Sequence, residues 1–549
     1  MTETTGTLKL PGVLRPLQQY WPLITQFFLI GVLVLAYAML VDRFFDFQLP
    51  EVAYHAPAIV TGALQRPLYM LVCVMTVLLL AADLTPHRWN PWHARIRWSS
   101  FHEEGLRAVR WLMVPMVMTL AWAFAFNSYN YYYDQFHLID RLLIVALAVA
   151  VAFHPSFALL SVFTVIIYVG QYHYPEVFVY SWTDKKLVFL VMILFGLYLP
   201  LRGIRGATFR VFFITMLALI GAFYFFAGVE KLQLEGDFME WVFSPHLTEL
   251  YQVSYVSGWL RGMSEETSLQ LARMVSAVTI PLQIGSLLIE LSGIALLIRR
   301  RVTVVLLVLI ILLHVGIVAS SGIFFWKWII MDAAIIAFIL MNRQSAWMQE
   351  TYRLPYVVGF VGLVWFGTHY FSPSHALAWY DTGIADAYDY RVTTASGEEY
   401  NLSRTHFAPY DIVFAQNRFH FLNENPVVTG TYGAVVDPVI YRAAIGATTR
   451  AEVEQLVAEH GVVGYRQFRE RRFEAFLTTW FTNYNRRVEQ QPVIWFKPPF
   501  HIITMAQENS FPEDEPITGF AIDYKNVWAT VDGYTLLHEE EIYTVQIVP

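Results

Sequence analysis

Apolar residues along this chain gather in long unbroken runs separated by short polar stretches, and that pattern stops near position 372. Runs of roughly 17–25 residues, the length that carries a helix across about 30 Å of hydrocarbon, lie near 23–41, 64–82, 109–126, 186–200, 210–229, 272–298, 302–320, 322–341 and 355–371. The stretch 138–170 reads either as one long helix or as two short ones divided at His154, Pro155 and Ser156. Lys and Arg decide between them, because short cytoplasmic loops collect positive charge. With the amino terminus inside (Lys9, Arg15), the loop holding Asp42, Asp46 and Glu51 falls outside, and the loop holding Arg88, Arg95, Arg97 and Arg107 falls inside. Two helices in 138–170 then keep Arg202, Arg205 and Arg210, the triplet Arg299 to Arg301, and Arg343 with Arg353 inside; one helix would put them all outside. The reading is a polytopic α-helical membrane protein of about eleven spans, ten being the alternative, in a transmembrane domain 1–371. Its N-terminus is cytoplasmic, and a domain 372–549 lies on the other side.

Composition agrees. Of 549 residues, 56% are hydrophobic and 15% charged, against about 45–50% and 25% in soluble domains. That excludes a disordered chain, and a net charge of −7 opposes a nucleic-acid partner. The abundant Trp and Tyr suit water–lipid boundaries, so the expected surroundings are membrane lipids. The single cysteine, Cys73, leaves no intrachain disulfide or cysteine metal cluster. Residues 1–22 are largely polar and the first apolar run is long enough to span, which reads as a retained anchor rather than a cleaved signal.

The tail from Ser372 carries 23 acidic and 13 basic residues, so the acidic excess lies there and the helical part is slightly positive. It reads as α+β. Tyr390 to Leu402 alternates about Gly397 as a hairpin, Thr449 with Glu452 forms a capping box for a helix ending near Gly461, and residues about 465–487 form a second helix. Residues 516–548 read as strands. The second helix carries Arg466, Arg469, Arg471, Arg472, Arg486 and Arg487, a face for anionic headgroups, an acidic peptide or solvent.

The most informative segment is Tyr224-Phe-Phe-Ala-Gly-Val-Glu-Lys-Leu-Gln233, with Trp241 beyond it. A carboxylate and an ammonium stand here at the outer edge of the hydrocarbon. A partly desolvated amine has a lowered pKa and can act as a base; the plainer reading of Lys231 is a snorkelling interfacial lysine.

The run Ala227-Gly228-Val229-Glu230-Lys231-Leu232, with aromatics before it and Trp241 after, resembles the signature of the vitamin K-dependent γ-glutamyl carboxylases, within the horizontally transferred transmembrane family. The helix around Glu290, the helix with His314, Gly322 to Phe325, and Pro373, His375 and the Val392 to Tyr400 hairpin are similar, so the resemblance covers about 120–400. It implies that Lys231 is the base deprotonating a bound vitamin K-like hydroquinone, which reacts with oxygen, with carbon dioxide as a further reactant if a glutamate is carboxylated. The family's lysine pair is Glu230-Lys231 here; adjacent helical residues do not face each other, but a nearby carboxylate favours the charged amine. His137 is the counterpart of the family's outer histidine and would assist at an oxyanion. Tyr224, Gly228, Glu230, Glu290 and His314 are the expected cofactor-binding set, and a protein or peptide substrate would meet the outer domain.

Within the bilayer, α-helical rise places Glu290 about 12 Å, Asp332 about 14 Å, His314 about 18 Å and Lys327 about 21 Å from the inner boundary. They are expected to meet in a polar network well inward of Lys231, away from the same reacting atom. No His/Glu pair has close metal-ligand spacing. His369, His375 and the cluster Gln416-Asn-Arg-Phe-His420 read as surface or core. The competing function is a non-catalytic membrane subunit or lipid-binding scaffold whose outer domain docks a partner. A proton-coupled transporter using Glu290, His314 and Asp332 ranks below it, for want of repeated halves.

Overall fold

The computed structural model describes residues 15–56, 58–85, 95–175, 177, 183–233, 238–373, 382–416, 418–428, 438–490, 494–505 and 507–548. Lys9, Arg88, His375 and Asn417 lie outside the described residues. A helix stands at each apolar run: α1 (Arg15–Phe45), α2 (Pro67–Leu84), α3 (Val109–Ala125), α4 (Leu138–Phe153), α5 (Ala158–Val169), α6 (Thr183–Arg205), α7 (Phe209–Gln233), α8 (Glu265–Leu291), α9 (Arg300–Ser321), α10 (Trp326–Met341) and α11 (Leu354–Trp365). Among the described residues, seven helical segments are long and apolar enough to cross a membrane, the mark of an integral membrane protein. The stretch 138–170 is two helices. The break falls at His154, whose Nδ1 accepts a hydrogen bond from the Ser156 N–H at 3.3 Å, and Pro155 cannot continue the preceding helix.

Burial separates the helices by role. In α7, 94% of the apolar window is inside the protein; in α8 and α9 the share is 22%. The central helix is therefore apolar all round and solvated by other helices, while α8 and α9 turn most of their apolar surface outward, toward lipid. At one end of the bundle the arginines are matched: Arg202 pairs with Glu104 and lies over the Phe101 ring, and Arg210 meets Glu350 at 2.9 Å.

Beyond Phe371 the chain forms β1 (Ile384–Thr394), β2 (Glu399–Asn401), β3 (Ile517–Thr530) and β4 (Gly533–Gln546), an antiparallel sheet in the order β2-β1-β3-β4. The hairpin about Gly397 pairs Val392 with Tyr400. The helix expected after Thr449, α12 (Arg450–His460), starts on the Thr449–Glu452 capping box and stops at Gly461. The second, α13 (Gln467–Arg487), buries Phe473, Phe476, Leu477, Trp480, Phe481 and Tyr484 at helical spacing. Some of its arginines are engaged: Arg469 lies over Phe421 and donates to the Val177 carbonyl at 2.9 Å, and Arg487 bonds Asp134, while Arg471 is exposed.

The tail folds back onto the bundle. Residues 494–505 cross the helix ends as a strap. Ile502 bridges to Ile323, Phe324 N–H donates to the His501 carbonyl at 2.7 Å, and Ile503 N–H donates to the Gly322 carbonyl at 2.9 Å. Gly322 ends α9 with φ +73, and a side chain there would strike the Ile503 carbonyl and the Trp259 ring, so the strap lies where only glycine allows it.

Candidate functional site at the end of the central helix

Lys231 lies in the last turn of α7, whose apolar length from Phe209 leaves no earlier polar stop. Its ammonium donates to both oxygens of Glu290, at 2.6 and 2.7 Å. The Trp241 ring covers it, with Nζ 4.7 Å from the ring centre. Lys231 and Glu290 are both buried. A buried ion pair needs this quality of geometry, because desolvating two charges costs several kcal/mol per ion.

Glycine brings the two helices together. A methyl group on Gly228 would sit 3.0 Å from the Leu291 backbone nitrogen, and one on Gly221 would sit 2.6 Å from the Gly293 carbonyl oxygen. The two backbones are thus in near contact, and Glu290 of α8 faces Lys231 of α7.

That contact corrects the expectation that Glu290 lies far inward of Lys231. The inward estimate assumed α-helical rise all the way from the basic triplet. In the structure α8 ends at Leu291, residues 292–295 are a 3-10 turn, and 296–299 are turn and open chain. A 3-10 turn climbs about 2.0 Å per residue and Arg299 is extended, so the α-helical count does not hold here and Glu290 stands higher than it allowed.

The expected single network among Glu290, His314, Lys327 and Asp332 also divides. His314 Nε2 meets the Tyr224 hydroxyl at 2.8 Å, and its ring packs between Phe325 and Trp328. Asp332 is fully buried on α10, one turn beyond Trp328, and neither of its oxygens has a hydrogen-bond partner among the described residues. Trp328 Nε1 and His314 Nδ1 are likewise unpartnered there. Lys327 turns elsewhere, over the Trp326 ring at 4.4 Å, because consecutive helical residues point about 100° apart.

Of the expected set, the structure joins Lys231 with Glu290 and Tyr224 with His314, and Gly228 supports the first pair. Glu230 is half-buried beside Lys231. His137 belongs to a different cluster. It caps α4 with φ +52, its Nδ1 is 3.7 Å from Asp140 Oδ2, and its ring meets Tyr168 edge-on. His369 follows α11 near the Phe366 ring; His420 meets the Tyr388 hydroxyl at 3.2 Å in the tail. Among the described residues no group of three His, Cys, Asp or Glu side chains is placed to hold a metal ion.

Sequence reasoning did not find the cavity where the strap crosses the bundle. It encloses about 70 Å³ of water-sized space and takes Lys185 from α6, Lys327 from α10 and Lys497 from the strap. Residues that far apart carry no joint signal in the sequence. Comparison of the chain with family models, with curated proteins and with solved structures gave no match.

Proposed function

We propose that this is a membrane enzyme of the carboxylase-like type, in which Lys231 serves as the base toward a bound reduced quinone. The proposal takes about eleven spans, with the N-terminus cytoplasmic and the sheet-bearing tail outside. The observation that carries it is the buried Lys231–Glu290 pair beneath Trp241, in the Ala-Gly-Val-Glu-Lys-Leu run. Glu290 at 2.6 Å can take the ammonium proton, leaving a neutral amine in a desolvated place, which is the form a base requires.

The residues fit a lipid quinol. Ile280, Ile284 and Leu288 on the outward side of α8 are exposed and give an apolar molecule a surface on this helix, on the face away from Glu290. Trp241 offers a ring face, and the Tyr224–His314 pair two turns away on α7 offers a donor and acceptor for a second hydroxyl. When bound, the reduced quinone supplies the chemistry with oxygen: both hydroxyl hydrogens leave in water with one oxygen atom, and the other oxygen atom stays in the ring as an epoxide. Carbon dioxide would enter if a glutamate is the substrate, and the outer tail would present a protein or peptide. Glu230, next in sequence, and the ionised Glu290 both favour the protonated amine, so the base form arises only when the proton passes to Glu290.

The test is oxidation of a reduced prenylated quinone by the purified protein in air. Wild type should consume it, and Lys231→Ala should not. Because an unpaired Glu290 endangers the fold, Lys231→Met/Glu290→Leu, which removes both charges together, is the decisive variant. Intact oxidation in that variant would overturn the assignment. A second reading, a non-catalytic subunit or lipid-binding scaffold, draws on the completeness of the Lys231–Glu290 pair, which needs no ligand to satisfy it. It predicts that the double variant functions normally and that changes in the tail do not.

A further inference from the structure

Trp241, the ring over Lys231, sits in a one-turn helix, Glu240–Phe243, entered through Met239 at φ +67. A helix this short keeps almost none of its own hydrogen bonds, so its carbonyls must find partners elsewhere. The turn packs on Leu287 of α8, whose Ile280, Leu282 and Ile284 are exposed on the lipid-facing side, and hydrocarbon satisfies no backbone group. Gln283 of α8 supplies the bonds. Its Nε2–H groups donate to the carbonyls of Trp241 at 2.7 Å, Val242 at 3.0 Å and Ser244 at 2.9 Å, and its Oε1 accepts the Leu247 N–H at 3.0 Å. One buried amide thus ties the turn to α8 at both ends, from 241 to 247.

The same side of α8 carries Glu290. Two helical turns separate it from Gln283, which puts the two side chains on one face, and both are buried. The helix therefore supplies the countercharge of Lys231 and also the hold on the ring that covers it. His246, within the tied turn, stacks on that ring at 5.6 Å and in turn on Tyr441 of the tail at 5.4 Å. Trp241 is 8% exposed and Lys231 7%, so a shift of the turn away from α8 opens the ammonium to water and removes its cation–π contact.

We propose that Gln283 is a positioning residue for Lys231: by holding the 241–247 turn on α8 it keeps Trp241 over the ammonium and water away from the Lys231–Glu290 pair. Its effect on turnover rests on the reading of Lys231 as the base; its effect on the exposure of Lys231 does not. A proton shared by Lys231 and Glu290 stays between those two groups only while water is excluded, so release of the ring slows the chemical step more than it weakens the binding of a quinol.

The experiment acetylates the purified full chain in detergent with a water-soluble succinimidyl ester and reads each lysine by peptide mass spectrometry, with the exposed Lys497 as internal reference. In wild type Lys231 should react far more slowly than Lys497. Gln283→Met, which fills the same space without the amide, should raise the Lys231 rate about ten-fold and leave Lys497 unchanged. Trp241→Leu, which removes the ring but keeps every Gln283 bond, should raise it as much, and the two changes together no further than either alone. Ser268→Ala, also at a buried position of α8, where Ser268 meets Tyr251 at 3.3 Å and Tyr534 at 2.7 Å, should leave Lys231 protected. Lys231 as unreactive in Gln283→Met or Trp241→Leu as in wild type, or equally exposed by Ser268→Ala, would overturn the proposal. In quinol oxidation Gln283→Met should lower kcat about ten-fold with KM within about two-fold of wild type; a raised KM at unchanged kcat would overturn the positioning role. No oxidation by wild type, with Lys231 still opened by Gln283→Met, would instead remove the base reading and leave the hold of Gln283 on Trp241 standing.

Discussion

Two seams hold this molecule together, and they use charge differently. At the α7–α8 seam inside the bundle one ion pair, Lys231–Glu290, is buried and bidentate between backbones in near contact at Gly221 and Gly293. At the seam between tail and bundle, charges are half-exposed and several: Arg487 and Arg486 on Asp134, Arg261 on Asp389 at 2.7 Å, Arg442 on Glu240 at 3.3 Å. Main-chain bonds from the strap accompany them. Burial decides the worth of each pair. A buried pair is strongly destabilising to break, though seldom better than an apolar replacement, while exposed pairs are worth little one by one. The first seam is therefore fragile to single changes and the second tolerant of them.

The largest expected effect is at the first seam. Lys231→Ala leaves Glu290 buried with no countercharge and should cost about 3–5 kcal/mol, read as a loss of folded protein in detergent. Lys231→Met/Glu290→Leu should recover most of it. A double variant as unstable as the single would mean that the pair does more than neutralise itself, and the contrast between the seams would fail.

Next in size is the glycine contact. Gly293→Val forces the α7 and α8 backbones apart against the Gly221 carbonyl, and overpacking of this kind costs about 1–3 kcal/mol. Gly285, within α8 itself and with nothing within 4 Å of an added Cβ, is the control, where Gly285→Ala should be neutral or stabilising. Equal losses at the two positions would remove close packing as the reason for the first seam.

The two seams also mark what could be read in advance. Helix places were legible because the bilayer demands long apolar runs, and the hairpin at Gly397 and the Thr449 cap were legible because their partners lie within a few residues. The split at His154 followed from charge bias alone. Glu290 was misplaced because residues 292–299 leave the α-helix, a local change of rise that apolarity does not betray. The lysine cavity joins positions 185, 327 and 497, and the docking of α13 on the 129–137 loop joins residues some 350 apart. Such contacts are set by how elements pack, and one sequence carries no trace of them. His137 and Lys231 were paired by resemblance, yet each has its own neighbours.

A smaller effect belongs to the tail's own helix start, away from both seams. Thr449→Ala removes the side chain that accepts the Glu452 N–H at 3.3 Å and should cost about 1 kcal/mol without loosening the tail from the bundle. Protease resistance of the strap, unchanged while α12 frays, is the expected outcome; release of the strap would show that the tail seam depends on α12 as well as on its own contacts.

The smallest effect tests the tolerance of the second seam directly. Asp134 is partly buried, which by itself raises a carboxyl pKa, but hydrogen bonds from Arg487 and Tyr129 and the charges of Arg487 and Arg486 outweigh that and hold it below the ordinary value. A carboxylate whose pKa falls on folding adds stability that is complete above its unfolded value, near 3.9. That stability is lost as pH falls through the lower folded value. Melting temperature of the wild type should therefore fall more steeply below about pH 4 than that of Asp134→Asn, while the two differ at neutral pH by only about 0.2–1 kcal/mol. Asp389, held down by Arg261 and Lys525 despite its burial, responds in the same direction, so Asp134→Asn should flatten the acid slope without abolishing it. A neutral-pH loss as large as that of Lys231→Ala would show that the tail seam, too, hangs on one pair, and burial would no longer be what separates the two.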